Sequence, residues 1–135
     1  MAVPRKEEYV FYRGQKFQVE FYFTESGRMP ARDYLEDTPL EIKAKLAALV
    51  AYIAECGRFF DITKFRMVDS SEKIYEFKPL GHRFFNFFYD GGKIIITNGY
   101  VKKSQRVSDK DLERAKGLKR DYIDRVKGGR YYEKY

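Results

Sequence analysis

The sequence predicts an α+β fold in which a small antiparallel β-sheet carries its helices on one face, and three observations lead to this prediction. Four segments have the alternation or the apolar density of β-strands, at residues 16–23, 73–78, 82–89 and 93–100. Two longer segments, at residues 39–56 and 108–126, repeat apolar residues at helical spacing. The order of strand, helices, three strands and helix suits a meander of antiparallel strands covered by helices.

The strand segments differ in how many of their faces are apolar. Residues 16–23 read K-F-Q-V-E-F-Y-F, an alternation that is typical of a half-buried strand. Residues 82–89 read H-R-F-F-N-F-F-Y and are apolar on both faces, which indicates a central strand. The run D-G-G at residues 90–92 is typical of a hairpin turn and leads into the strand at 93–100.

Capping residues delimit the predicted helices. The run T-P-L-E at residues 38–41 predicts a capping box that begins the helix over residues 39–56. Ser108 is expected to cap the last helix, because its hydroxyl can accept a hydrogen bond from an N–H of the first turn. Residues 29–37 suit a further short helix with a proline near its first turn.

A chain of 135 residues suits one domain with one modest core. We expect residues 1–14 to be a flexible N-terminal arm, residues 15–127 to form a single domain and residues 128–135 to be a polar-aromatic tail. Residues 58–71 show no clear period and are expected to be irregular, with short extended pieces.

The net charge of +7 is concentrated in the second part of the chain. Residues 1–57 contain 8 Lys and Arg against 9 Asp and Glu, whereas residues 58–135 contain 19 against 11. A one-sided positive field favours a polyanionic partner such as a nucleic acid, an anionic membrane or an acidic protein. Charge alone does not choose among these partners, and a merely solvated basic surface is the remaining alternative.

Several classes of protein do not fit the sequence. Cys56 is the only cysteine, so no internal disulfide forms, and His82 is the only histidine, so a classical zinc site is not expected. No motif for a nucleotide, a metal or a covalent nucleophile is present, and we expect no cofactor. No apolar run is long enough to span a bilayer, and the polar N-terminal residues do not resemble a signal peptide, so we expect a cytoplasmic protein without membrane contact.

The candidate chemistry is a set of basic and polar side chains around the predicted meander. Asn98 and Tyr100 are two residues apart on one strand and so share a face. Arg83 enters an aromatic strand, where an unpaired charge is costly, so it lies at the mouth of the sheet or pairs with a carboxylate such as Glu76. His82 is expected on the opposite face from Arg83. The other basic candidates are Lys64, Arg66, Lys78, Lys102, Lys103 and Arg106.

These motifs together resemble the RelE/ParE toxin superfamily, and within it the HigB-like, phage-derived branch. That branch has a strand ending in E-L-R, a strand of the type R-(I/V)-F-Y, the run H-G-F-V-K-K-(T/S)-Q and a helix with E-(I/L)-x-x-A. The corresponding runs here are E-F-K at 76–78, R-F-F at 83–85, N-G-Y-V-K-K-S-Q at 98–105 and L-E-R-A at 112–115. The resemblance covers roughly residues 15–126 and depends on the ordered set rather than on any single motif.

The resemblance implies the toxin of a type II toxin–antitoxin pair with a RelE-like fold. Many such toxins cut mRNA on the ribosome without a metal, because the 2′-OH of the RNA attacks the adjacent phosphate. The implied partners are the mRNA, the ribosome and an antitoxin of the helix-turn-helix kind. A non-catalytic protein on the same fold, either a ParE-type gyrase inhibitor or a phage accessory protein, is the alternative.

The implied site has two departures from the family pattern. Asn98 stands where a histidine is frequent, and an asparagine cannot take up a proton at neutral pH. Lys78 replaces the arginine of E-L-R and supplies a point charge instead of a planar fork. Arg83, Tyr100, His82 and Asn98 are therefore the catalytic candidates, with Arg83 on the phosphate and Tyr100 or His82 as the proton carrier.

Overall fold

The structure, a computed structural model, describes residues 3–59 and 61–133. The elements in chain order are α1 (Lys6–Tyr9), β1 (Val10–Arg13), β2 (Gln18–Phe21), α2 (Pro30–Glu36), α3 (Leu40–Cys56), β3 (Phe65–Asp69), β4 (Ile74–Phe77), β5 (His82–Tyr89), β6 (Lys93–Val101) and α4 (Asp109–Lys127). Within these residues the strands form one sheet with helices against it, which confirms the predicted α+β class. No helix of the described part is long and apolar enough to cross a membrane.

The strands are arranged in the order β1-β2-β6-β5-β4-β3. Neighbouring strands run antiparallel except β2 and β6, which run parallel with Val19 opposite Ile94 and Phe21 opposite Ile96. The prediction of an entirely antiparallel sheet is therefore wrong at this pair. The chain between β2 and β6 contains two helices and three strands, which is long enough to bring β6 back in the same direction as β2.

β5 lies inside the sheet, as its composition predicts. It pairs with β4 on one side and with β6 on the other, and residues 83–87 are all buried. The turn into β6 has left-handed backbone at Asp90 and Gly91, with φ of 51° and 70°. Glycine and aspartate tolerate this conformation better than most residues, which explains the D-G signal.

β6 carries one residue more than the strand it faces. Asn86 lies opposite Ile96 and Phe85 lies opposite Asn98, so Thr97 has no partner in β5. The Thr97 hydroxyl shares its one proton between the Phe85 carbonyl at 3.2 Å and the side-chain oxygen of Asn98 at 2.7 Å. A bulge of one residue reverses the faces that the following side chains occupy.

Helices cover both faces of the sheet, so the prediction that they lie on one face is wrong. Asn98 and Gly99 are neighbours on β6 and project to opposite faces. The amide of Asn98 donates to the backbone carbonyl of Asp111 in α4 at 3.1 Å, whereas Gly99 lies against the ring of Tyr34 in α2. Because β5 is apolar on both sides, each face needs its own cover.

The two long helices begin where the sequence predicts, but only one uses the predicted cap. No side chain caps α3, and the Thr38 hydroxyl donates instead to the Leu35 carbonyl at the end of α2, at 2.6 Å. At the start of α4, the Ser108 side chain accepts from the Asp111 N–H at 3.3 Å, as predicted. The capping box at residues 38–41 is therefore wrong, and the Ser108 cap is confirmed.

Both chain ends take part in the fold. In place of a flexible arm over residues 1–14, residues 6–13 form α1 and β1, and β1 pairs with β2 as a hairpin. In the predicted tail, the Tyr131 ring stacks on Phe23 at 4.0 Å between centroids, and the Tyr132 hydroxyl donates to the buried carboxylate of Glu20 at 2.7 Å. Residues 1–2 and 134–135 lie outside the described residues.

β3 lies within residues 58–71, for which the sequence predicts irregular structure with short extended pieces. It pairs antiparallel with β4, with Phe65 opposite Phe77, and forms one edge of the sheet. An edge strand has fewer neighbours to pack against, and exposed positions such as Met67 can be of any type. The period-two signal is therefore weak in this strand.

Gly14 lies where the hairpin of β1 and β2 meets α3. A Cβ atom at this position would approach the Ala54 carbonyl oxygen to 2.5 Å, and that oxygen belongs to the backbone of the helix. We expect Gly14→Ala to lower the free energy of unfolding by roughly 1–3 kcal/mol, because either the hairpin or the helix must shift to make room for the added methyl group. Urea unfolding followed by circular dichroism measures the change.

Gly117 in α4 provides the matched control, because a Cβ atom there meets no atom within 4 Å. Gly117→Ala is expected to raise the free energy of unfolding by about 1 kcal/mol through helix propensity. Equal effects of the two substitutions would contradict the close approach at Gly14.

Candidate functional site

Side chains from adjacent strands meet on the face of the sheet that α4 covers, near the first turn of that helix. Cross-strand partners share a face, and the register places Arg66 opposite Glu76, Glu76 opposite Phe85, and Arg83 opposite Tyr100. Arg83 and Phe85 are two residues apart on β5, so all of these side chains project to one side. Four basic residues around them form what we call the basic cluster: Arg66, Lys78, Arg83 and Lys102.

Glu76 is the buried carboxylate of this site. Its side chain is 1% exposed, and Oε2 accepts a hydrogen bond from Nε of Arg66 at 2.9 Å. Oε1 is buried and has no hydrogen-bond partner within the described residues. Of the two possibilities for Arg83, pairing with Glu76 is therefore not the one observed. One carboxylate faces four basic side chains, which leaves the site with an excess of positive charge.

Arg83 is held by backbone carbonyls. Its Nη1 donates to the Leu80 oxygen at 2.6 Å and to the His82 oxygen at 2.8 Å, and the residue is only 7% exposed. Carbonyls orient the guanidinium without neutralising its charge, and no carboxylate in the described part of the chain forms an ion pair with it. A guanidinium fixed in this way is suited to bind a phosphate with its remaining N–H groups.

Lys78 shows how crowded the positive charge is. Its Nζ donates to the Ile62 carbonyl at 3.1 Å. Burial lowers the pKa of Lys78, and the neighbouring charges of Arg66, Arg83 and Lys102 lower it further, while Glu76 acts in the opposite direction. An anion bound among these side chains would relieve their repulsion.

Tyr100 supplies the hydroxyl on this face. Its ring stacks on Phe85 with centroids 5.3 Å apart. Burial raises the pKa of Tyr100 and the charge of Glu76 raises it further, whereas a hydrogen bond from the Ser108 backbone and the charge of Arg83 lower it. The net direction is upward, so Tyr100 keeps its proton at neutral pH and can only donate it.

His82 does not belong to this arrangement. It is the strand neighbour of Arg83 and projects to the opposite face, as the sequence predicts. Its Nδ1 shares a hydrogen bond of 2.6 Å with the hydroxyl of Tyr34 in α2. No pattern in the sequence indicates this pairing, because the two residues belong to elements far apart in the chain.

Asn98 is on the correct face but is completely buried. Its amide joins Thr97 of the bulge to the Asp111 carbonyl in the first turn of α4. No part of the side chain is exposed to a substrate, so its geometry is that of an anchor for α4. The predicted shared face of Asn98 and Tyr100 is confirmed.

The other basic candidates lie around the cluster. Lys64 is exposed, and its carbonyl accepts from the Lys78 N–H at 2.8 Å, which extends the ladder of β3 and β4 by one pair. Lys103 and Arg106 are exposed in the segment between β6 and α4, where Arg106 pairs with Asp109 at 3.7 Å. The structure therefore brings Arg66, Lys78, Arg83 and Lys102 together and leaves Lys64, Lys103 and Arg106 at the periphery. Within the described residues no group of side chains could hold a metal ion.

Because His82 is the neighbour of Arg83 in β5, the pKa of His82 tests whether the Arg83 charge lies close to the imidazole ring. Burial lowers the pKa of His82 from 6.5, and the charge of Arg83 lowers it further. The unfolded chain therefore takes up the proton first as the pH falls, and the stability that neutral His82 contributes is lost as the pH falls through 6.5 and below.

We expect the ring signal of this single histidine to titrate below pH 6.5 in an NMR experiment, and Arg83→Gln to move the midpoint upward. Arg120→Ala is the control, because Arg120 pairs with Glu72 at the other end of the sheet and should leave the midpoint unchanged. If Arg83→Gln left the titration midpoint of His82 unchanged, that result would contradict the placement of the Arg83 charge close to His82.

One family comparison agrees with this architecture. Residues 33–120, well over half of the chain, match the family described as phage derived protein Gp49-like (DUF891). The match contains α3, β3, β4, β5, β6 and the first part of α4, and so every residue of the basic cluster. No curated protein matches the chain. The chain belongs to the Gp49-like family of phage-derived proteins, a family of the RelE/HigB superfamily of toxin–antitoxin toxins.

Proposed function

We propose that this protein is the toxin of a type II toxin–antitoxin pair, of the HigB-like kind, and that it cleaves mRNA on the ribosome without a metal ion. Its place of action would be the cytoplasm. The observation that supports this most is the basic cluster, in which four cationic side chains surround one buried carboxylate on a single face. A site of this charge favours a phosphodiester, and the family membership favours RNA as its source.

Arg83 has the central role in the proposed reaction. The 2′-OH of the RNA attacks the adjacent phosphorus, the bond to the 5′-oxygen breaks, and a 2′,3′-cyclic phosphate forms. Negative charge grows on the phosphoryl oxygens in the transition state. The fixed guanidinium of Arg83 is already oriented by two carbonyls, so it stabilises that charge with little reorganisation. Arg66 and Lys102 add to the same field.

Two residues are suited to move protons in this reaction. Lys78 would accept the proton of the 2′-OH only in its neutral form, and burial together with the charges of Arg66, Arg83 and Lys102 shifts its pKa in the direction that favours that form. Tyr100 keeps its proton at neutral pH and can deliver it to the departing 5′-oxygen. Asn98 and His82, the other two candidates, have no place in this scheme, because one is buried and the other lies on the opposite face.

A second function is supported by one observation. The cluster contains no histidine, since Asn98 anchors α4 where the family frequently has one. This favours a non-catalytic protein that uses the same face to bind a partner, either as a ParE-type gyrase inhibitor or as a phage accessory protein. The cleavage experiment below decides between the two functions.

We expect Arg83→Ala to remain folded and to reduce mRNA cleavage by roughly 10²–10³-fold, because it removes a preorganised donor to the developing charge. Cleavage by protein made in cell-free translation is measured on ribosome-bound mRNA, with circular dichroism as the folding check.

Tyr100→Phe is expected to slow cleavage while leaving RNA affinity intact, because the ring stays and the hydroxyl is lost.

Arg120→Ala is the matched control, because it removes one positive charge from an exposed pair at the far end of the sheet. It should cleave at the rate of the unaltered protein. A folded Arg83→Ala variant with full activity would mean that this is not the catalytic site, and absence of cleavage by the unaltered protein would favour the binding function.

The partner that keeps such a toxin silent would be an antitoxin, and the basic cluster is the surface it has to cover. We expect an acidic or helical segment of the antitoxin to lie over Arg83, because opposite charge favours that contact. RNA binding by the purified complex tests this expectation. A stable complex that binds RNA as well as the free toxin does would show that the antitoxin lies elsewhere.

A further inference from the structure

A cavity of about 550 Å³ opens beside Tyr100, and nothing in the proposed reaction uses it. β2 pairs with residues 93–96 of β6 only, so the last part of β6 has no strand neighbour on that side. The cavity occupies this gap, between α2, the end of β6, the following loop and the first turn of α4. Tyr100 borders both the cavity and the basic cluster, so one ligand could reach both.

Two aromatic rings line the cavity. Tyr34 is fixed by its hydrogen bond to His82 and by an edge contact with Phe84 at 5.5 Å between centroids. Gly99 leaves room for the Tyr34 ring, because a Cβ atom at position 99 would come within 2.6 Å of that ring. Tyr100 contributes the second ring. Two aromatic side chains in the lining of one cavity suit a flat aromatic guest such as a nucleobase.

Asp111 is the only acidic residue among those that line the cavity. Its Oδ2 accepts from the Ser108 hydroxyl at 2.6 Å, and within the described residues it forms no ion pair. Burial is the main cause that raises the pKa of both Tyr34 and Tyr100, and the negative charge of Asp111 acts in the same direction on each of them. A carboxylate that no cation neutralises is a strong acceptor for N–H groups of a guest.

The rim of the cavity has the opposite charge. Lys103 and Arg106 border it and are exposed, and Arg106 forms only a long, exposed ion pair with Asp109 at 3.7 Å, so both can meet a phosphate while the guest lies inside. The aromatic interior with one hydrogen-bond acceptor matches the base of a nucleotide, and the cationic rim matches its phosphate.

We propose that this cavity binds a guanine base next to the scissile phosphate and makes Asp111 the residue that selects it. Guanine is the only one of the four RNA bases with two adjacent N–H donors, N1–H and N2–H, on its Watson–Crick edge, and a carboxylate accepts both. Adenine and cytosine present an acceptor beside their amino group, and uracil presents one N–H between two carbonyls. Single-stranded RNA is commonly read in this way, by stacking and by its base edges. The proposal rests on the proposed function for its substrate, an RNA.

Binding of GMP and AMP to the full chain, followed by NMR, tests the base preference without requiring cleavage. We expect GMP to bind about tenfold or more tightly than AMP, which corresponds to one good bidentate pair. Asp111→Asn should abolish this preference, because an amide replaces one acceptor with a donor, while its oxygen can still serve the Ser108 hydroxyl. Tyr34→Leu should weaken both nucleotides equally, because stacking does not distinguish bases.

Asp109→Asn is the control, because Asp109 lies in the same turn of α4, is 82% exposed and does not line the cavity. Because Asp109 pairs with Arg106 at the rim, its loss acts on the phosphate that GMP and AMP share, so the substitution should leave the preference for GMP over AMP unchanged. Equal binding of the two nucleotides, no binding of either, or a preference that survives Asp111→Asn would each overturn the proposal.

Mapping the cleavage sites on mRNA separates this proposal from the proposed function. Cleavage that depends on Arg83 but occurs without regard to guanine would overturn the guanine site and leave the nuclease intact. Selective GMP binding without any mRNA cleavage would support the cavity as a guanine site and overturn the nuclease.

Discussion

The candidate site depends on the pairing of β5 with β6 and on the single unpaired residue within it. Before the bulge at Thr97, Ile95 shares a face with Phe87, which packs against α4. Regular alternation would turn Asn98 and Tyr100 to the other side of the sheet, and the extra residue turns them back. The hydrogen bonds of the Thr97 hydroxyl hold the bulge in place. Without it, the Tyr100 hydroxyl would lie on the opposite face from the basic cluster.

The positive charges of the site outnumber the negative ones, so the site as a whole attracts an anion. Glu76 compensates Arg66, and one of its buried oxygens has no hydrogen-bond partner among the described residues, which carries an energetic cost. Arg83 is oriented by carbonyls that do not cancel its charge. Removal of the Arg83 charge from water is costly unless an anion binds to it. The folded protein therefore holds an uncompensated positive charge on a side chain that is already in place, as the proposed binding of a phosphate requires.

The first turn of α4 connects this site to the neighbouring cavity. Asn98 fixes the Asp111 carbonyl, Ser108 caps the helix, and the side chain of Asp111 reaches the cavity. An asparagine at position 98 therefore gives up proton transfer and supplies a buried anchor for the helix. Substitutions at Asn98 are expected to act through the placement of α4, which distinguishes them from losses of a group that touches the substrate.

The α+β class, the order of the main strands and helices, the inner position of β5 and the Ser108 cap were predictable from the sequence alone, as was a wider set of basic candidates to which the four residues of the basic cluster belong. These follow from local periodicity, turn chemistry and charge, which act over a few residues. Apolar side chains on both sides of β5 already indicated two covered faces, although the prediction used only one. Tertiary structure alone decided the parallel pairing of β2 with β6, the Arg66–Glu76 ion pair and the contacts of Tyr34 and Asp111. The pairing of β2 with β6 and the contact of Tyr34 with His82 join segments that are distant in the chain, and the Arg66–Glu76 pair depends on the register of two strands, so only packing determines which side chains meet.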